Sequence, residues 1–476
     1  MLSEPGGVAL SEVLGALSYA LDLTEGEPPG HAVRTTAIGM RLAEQIGLPE
    51  EQRSGLFYAL LLKDAGCSSN AARLSSLFAA DDQQAKRAMK AVDWSQPGAL
   101  AGYTWRSVEP GRGPVAKTRR IKAIAAEDEV TREMIGTRCE RGADIARMLE
   151  LPEASAQGIA ALDEHWDGSG HPQGLSGEAI PLLGRIVCLA QTMEIFCRET
   201  GPGGAHAMAL KRAGRWFDPA LVGALLAFRD DAAFWEPLED PRIVPAATTW
   251  EPADRIELAD ESRLDRVADA FARVIDAKSP FTARHSNEVA RWAVAIGAQL
   301  ELGEGQLRDL RRAGLLHDIG KLAVSNRILD KPGRLERDEI AVMREHPRHT
   351  RRILERVACF AGIVETAASH HERLDGSGYH RGLAAFDLSR PARVLAVADV
   401  WEALTSARPY RSAMEPQAAM EIVAADRGIG LCPAAVDALE GAVAADPAPA
   451  WTVELRPPAA DEPAARPSSG ALRLPR

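Results

Sequence analysis

Five groups of ionisable side chains follow one another in the second half of this 476-residue chain: His285, the adjacent pair His317–Asp318, His346, the adjacent pair His370–His371, and Asp399. Imidazole and carboxylate together suit borderline transition metals such as iron, manganese, nickel or zinc. Neighbouring side chains on a helix point about 100° apart. A His–Asp pair can therefore address two ions, or bridge them through its carboxylate. Two metals roughly 3.5–4 Å apart can hold both the attacking and the leaving oxygen of a displacement at phosphorus. A lone histidine on an apolar face is more often a core or surface residue than a ligand, and His206 and His349 are read that way. The five groups do not fit that bland reading, because seven of the 11 histidines lie between His285 and His380 and two of the groups are adjacent pairs.

The segments that must carry these residues have helical spacing. "HSNEVARWAVAIGAQL" puts Val289, Trp292, Ala293 and Ile296 on one stripe. "RWFDPALVGALLAF" places Asp218 as a helix N-cap with Pro219 as the first helical residue. No alternating pattern of useful length predicts a strand, so the fold class is all-α.

The chain also repeats itself. "DGSGHPQGL" starts at Asp167 and "DGSGYHRGL" at Asp375, an offset of 208. "GRIVCLAQTMEIF" and "ARVLAVADVWEAL" keep that offset from Gly184 and Ala392. Earlier, His31 pairs with His285, and "YALLLKDAG" with "AGLLHDIG", at an offset of 254. The difference of 46 residues (254 − 208) reads as an insertion between Asp64 and Arg138. Two tandem helical domains follow, 1–235 and 263–446, joined by a Pro- and acid-rich linker over 236–262. Residues 447–476 are Pro/Ala-rich with few apolar anchors and read as a disordered tail.

"LLHDIGKL", "ILDKPGRL", "HHERLDGSGY" and "ARVLAVADVWEALTSARPYR", in that order, resemble the HD-GYP domain, a branch of the HD superfamily of metal-dependent phosphohydrolases. The resemblance implies an all-helical fold and hydrolysis of a cyclic dinucleotide, cyclic di-GMP first, to the linear dinucleotide or GMP. It implies metal ligation by His285, His317, Asp318, His346, His370, His371 and Asp399, with Asp318 as the bridge. It gives Asp318 and Lys321 catalytic roles, and Lys321, Tyr379, Arg408 and Arg411 a place in substrate binding, with Lys321 on a phosphate. Point charges and forked donors suit a phosphodiester; the bland reading of the two arginines is a solvated helix end. Two positions depart from the family. His380 stands where the motif has proline, which frees a backbone N–H and predicts a looser loop. Phe281 stands where some members carry a glutamate for a third metal, so two divalent ions are expected, iron or manganese first, nickel or zinc as alternatives.

In the first half the set is broken. His31 and Asp64 remain, but Lys63 replaces His317, Arg138 or Cys139 replaces His346, Leu162 and Asp163 replace the histidine pair, Gln191 replaces Asp399 and Cys67 replaces Lys321. This predicts a copy that has lost its metals and serves as an intramolecular partner domain, packing against, regulating or dimerising with the active one; a homodimer is compatible. The basic residues of the insertion, Lys86, Arg87, Lys90, Arg112, Lys117, Arg119, Arg120 and Lys122, read as a solvated face. A formal net charge of −11 argues against non-specific nucleic-acid or anionic-membrane binding. Six cysteines without a CxxC pair read as reduced thiols. The first 22 residues lack the basic n-region of a signal peptide, and the protein is read as cytoplasmic, with a small cyclic nucleotide as partner. Hydrolysis of another nucleotide, or nucleotide sensing with little turnover, are the alternative functions.

Overall fold

A computed structural model describes residues 8–90, 92, 97–125, 130–240, 248–252, 257–282, 284–407 and 412–445. Helices dominate. Among the described residues the only named strands are Val8–Ala9 and Leu258–Ala259, paired antiparallel. The expected stripe is inside: Val289, Trp292, Ala293 and Ile296 are all buried. Asp218 caps its helix by accepting a hydrogen bond from the Ala220 N–H at 2.8 Å. Among the described residues no helix is long and apolar enough to cross a membrane, and the six cysteines are free thiols.

The helix Leu10–Thr24 is buried on every side, with 13 of its 15 residues inside. A helix with so little exposed surface must be covered from more than one side. Here the helices His31–Gln45 and Glu50–Leu62 cover one side, while the 3₁₀ helix Ile319–Ala323 and the helix His346–Leu354 of the second half cover the other. The arrangement is reciprocal: the helix Glu261–Asp276 packs on its own half and also reaches Cys67–Asn70 and Val130–Met148 of the first.

Described parts of the stretch read as a linker pack on the first half. Glu236–Glu239 is a 3₁₀ helix, Trp250 packs edge-on against Phe234, and Glu251 accepts hydrogen bonds from Ser11 Oγ and from Tyr58 Oη at 3.0 Å. The C-terminal tail lies outside the described residues.

Candidate metal centre

Each ligand candidate sits where a helix starts, stops or faces the centre. His285 opens the helix His285–Gln299 and is preceded by Arg284 at φ 70°. A non-glycine residue in that left-handed region costs about 1–2 kcal/mol; the corresponding position before His31 is Gly30 at φ 88°, where no Cβ penalty applies. Asp276, at the end of the preceding helix, anchors this start by accepting from Ser286 N and Oγ at 3.3 and 2.7 Å. Burial raises the Asp276 carboxyl to about 6.

His317 and Asp318 turn the corner after the helix Glu304–Leu316. The corner presses on the helix that begins at His346: a Cβ on Gly320 would lie 1.9 Å from the His346 carbonyl oxygen. Thr350 locks the contact, accepting from Gly320 N at 3.1 Å and donating to the His317 carbonyl at 2.7 Å. His346 opens the helix His346–Leu354, His370 and His371 follow the helix Val364–Ala368, and Asp399 is buried on the helix Arg390–Thr405.

The seven side chains converge. Asp318 Oδ2 lies 3.3 Å from both His285 Nε2 and His317 Nε2, while Asp318 Oδ1 lies 3.3 Å from His346 Nε2 and 3.7 Å from His370 Nε2. Asp399 Oδ1 faces His285 and His317 at 3.6 and 3.8 Å, and Asp399 Oδ2 lies 3.7 Å from His371 Nδ1. Two donor groups result, His285–His317–Asp399 and His346–His370–His371, with the two oxygens of Asp318 turned one to each.

The ring orientations suit metal ligation. His317, His346 and His370 place Nδ1 2.7 Å from the carbonyls of Gly314, Met343 and Ala367, so Nδ1–H donates outward and the Nε2 lone pair faces the centre. His285 Nδ1 contacts Glu402 Oε2. His317 Nε2 and Asp318 Oδ1 are buried without a hydrogen-bond partner; such orphaned atoms are costly unless something binds them. Burial, then the neighbouring histidines, hold His370 well below the ordinary imidazole range. His371 is lowered by the same causes. Both are thus kept neutral, as ligands must be. Burial alone would raise Asp318, but His317 and Lys321 outweigh it and hold the carboxyl well below the usual range. The residues fit a pair of divalent cations.

Around this centre, Lys321 Nζ pairs with Asp318, and Tyr379 lies against His371 with ring centroids 4.8 Å apart. Arg408 and Arg411 lie outside the described residues. The loop expected to loosen at His380 is held: Glu372 accepts from Arg381 N and Leu383 N, both at 2.8 Å, and Tyr379 N donates to the His371 carbonyl at 3.1 Å. The proline-bearing loop of the first half closes identically in kind, with Glu164 accepting from Gln173 N and Leu175 N at 2.7 and 2.9 Å.

The corresponding place in the first half is filled by the protein's own cations. Lys63 Nζ lies 2.9 Å from His31 Nε2 and pairs with Asp64. Arg138 pairs with Asp163. Of the two candidates for the His346 position the geometry selects Arg138: its carbonyl oxygen would meet a Gly66 Cβ at 1.9 Å, as that of His346 meets Gly320. Glu25, Asp64 and Cys67 bring three donor atoms together, yet Lys90 Nζ sits 2.8 Å and Lys86 Nζ 3.3 Å from the Glu25 carboxylate. Burial would raise Asp64; Lys63 and Lys90 hold it well below its ordinary value instead. The solvated-face reading of the insertion is therefore corrected for Lys86, which is buried, and for Lys90, which is largely so, because both charges are turned inward onto Glu25. Arg87, Arg112, Arg119 and Lys122 are exposed as expected.

Sequence reasoning missed Glu402, Thr350 and Asp276. Glu402 had a signal: it stands three residues after Asp399, one helical turn along the same face, and Glu194 matches it at the 208 offset while contacting His31 Nδ1 at 2.5 Å.

Helical layers meeting at paired His/Asp groups define a metal-dependent phosphohydrolase site of the HD type. The HD domain family profile matches residues 119–221 and again 269–429, and the chain belongs to that family, in its HD-GYP phosphodiesterase branch. It is 40% identical over 434 residues to 3'3'-cGAMP-specific phosphodiesterase 3 of Vibrio cholerae, covering 91% of this chain and 94% of that protein. It is 39% identical over 191 residues to a cyclic di-GMP phosphodiesterase of Pseudomonas aeruginosa, covering 40% of this chain and 46% of that one. The crystal structure of a cyclic GMP-AMP specific phosphodiesterase of Vibrio cholerae superposes with a TM-score of 0.64 at 36% identity, over 92% of this chain and 98% of the other.

Proposed function

We propose that this protein hydrolyses a cyclic dinucleotide at a two-metal centre in its second half, with 3'3'-cGAMP as substrate. The observation that carries the reading is Asp318, whose two oxygens face two separate histidine groups. When bound, two divalent ions supply Lewis acidity to the phosphate oxygens and lower the pKa of water; iron or manganese suits this donor set, with nickel or zinc as alternatives. The chain's own residues do the rest. Glu402 and the backbone carbonyls fix the imidazoles so that Nε2 faces inward. Lys321, already at the edge of the centre, offsets charge on the reacting phosphate. Tyr379 borders the place where the nucleotide would lie, and Arg408 and Arg411 supply further charge to its phosphates.

The substrate assignment is supported by the relative named for 3'3'-cGAMP, which aligns through both halves. Cyclic di-GMP is the second reading, supported by the relative named for it, whose match spans 40% of this chain. The first half is read as a degenerate copy that serves as a structural and regulatory partner, supported by the lysine-filled cluster at its centre. Incubating the metal-loaded protein with 3'3'-cGAMP, cyclic di-GMP and linear dinucleotides, with products identified by mass, tests the reading. A linear product forming fastest from 3'3'-cGAMP is expected; hydrolysis of mononucleotides alone would overturn it.

A further inference from the structure

Arg344 stands out among the arginines around the centre. Its guanidinium lies over the ring of Tyr379, 5.1 Å from the centroid. The other side of the contact is the metal centre itself, because Tyr379 lies 4.8 Å from His371 and 6.4 Å from His346, centroid to centroid. Arg344 is thus one aromatic ring away from two ligand histidines, and it belongs to the turn that leads into His346.

Three other arginines of this region are neutralised. Arg348 pairs with Glu345 at 3.2 Å, Arg351 with Glu355 and Glu365 at 2.7 Å, and Arg381 with Glu365 at 2.8 Å. Among the described residues no carboxylate pairs with the Arg344 side chain, which is exposed. A guanidinium lying over an aromatic ring is held there by the cation–π contact while its N–H groups can still donate elsewhere. That geometry is suited to a planar, forked grip on phosphate oxygens.

From this placement we infer that Arg344, held on the Tyr379 ring, is a substrate-binding residue that contacts the second phosphodiester of the cyclic dinucleotide, the one that is not being cleaved. The inference rests on the cyclic dinucleotide reading above. A substrate with a single phosphodiester has no group for Arg344 to hold. The residue should therefore act on selectivity and on KM rather than on the chemical step.

The test uses the full metal-loaded chain and three proteins: wild type, Arg344→Ala and Arg344→Lys. Each is assayed on 3'3'-cGAMP and on bis(p-nitrophenyl) phosphate, and the metal content per chain is measured. Loss of a charge-assisted phosphate contact corresponds to roughly tenfold or more in kcat/KM. Arg344→Ala should lower kcat/KM for 3'3'-cGAMP by about that factor, chiefly through KM, and lower the ratio of dinucleotide to aryl diester hydrolysis by a similar factor. Arg344→Lys, which keeps the charge but not the fork, should recover part of the loss. Unchanged KM for 3'3'-cGAMP, equal losses on both substrates, or a drop in metal content would each overturn the assignment. Wild-type protein that cleaves the aryl diester but no cyclic dinucleotide would sink the substrate reading first and this inference with it. That result differs from a variant that fails to distinguish the two substrates.

Discussion

Glu402 stands outside the candidate ligands and holds one of them, His285. Its carboxylate receives His285 Nδ1–H, and its other oxygen accepts from Ser406 Oγ at 2.7 Å. Loss of such a partner typically lowers metal affinity by about 10- to 100-fold. Glu402→Gln should therefore weaken metal binding by about that factor while the far-ultraviolet circular dichroism is unchanged; unaltered affinity in a chelator competition would contradict the role. Lys278 gives a residue-scale prediction about pH. It is buried, its Nζ donates to the Leu322 carbonyl at 3.0 Å, and burial lowers it from 10.5 to about 8. The unfolded chain then binds more protons than the folded one between those two values, so this lysine destabilises the fold below pH 8 and its penalty fades as pH rises. Wild type should gain stability relative to Lys278→Met between about pH 8 and 10.5. A stability difference that is flat across that range in urea titrations would contradict it.

At the scale of elements, the helix Asp82–Lys90 of the insertion is a strut. Asp82 Oδ1 accepts from Ser325 Oγ at 3.1 Å and from Asn326 N at 2.8 Å, just beyond the segment that carries Lys321. Gln83 donates both to Leu23 and to Leu322 carbonyls, at 3.0 and 3.1 Å. Asp82→Ala would leave buried donors without a partner, at a cost of about 1–3 kcal/mol; the shift should be visible as a lower urea midpoint, and an unchanged midpoint would contradict the strut. That the seven candidate side chains would converge was legible in the sequence, because His285, His317–Asp318, His346, His370–His371 and Asp399 follow one another in one half of the chain. The helices were legible from the Val289–Trp292–Ile296 stripe. The strut was not. Its Lys86 and Lys90 have the spacing of a solvated face, and their partners Glu25 and Glu27 lie about 60 positions earlier in the chain. No local pattern distinguishes a charge facing water from one facing a distant carboxylate.

For the whole molecule, the all-round burial of Leu10–Thr24 ties the two halves together. That this helix is covered from both halves was not legible in the sequence, because the elements that cover it from the second half lie about 300 positions away. With Ile319–Ala323 and His346–Leu354 as part of the cover, the first half supports the two elements that carry Lys321 and His346. The full chain should unfold in one cooperative transition in calorimetry, with calorimetric and van't Hoff enthalpies equal; two well-separated transitions would contradict this coupling.

The central claim is that metals bind only in the second half and that turnover depends on them there. Elemental analysis of the full chain, wild type beside a His317→Ala/Asp318→Ala variant, tests it most directly, with hydrolysis of 3'3'-cGAMP followed on the same samples. The account predicts two divalent ions per wild-type chain, essentially none in the variant because Lys63, Lys86 and Lys90 occupy the other cluster, and loss of turnover with a helical spectrum retained. Stoichiometric metal persisting in the variant, or wild-type turnover without it, would contradict the account.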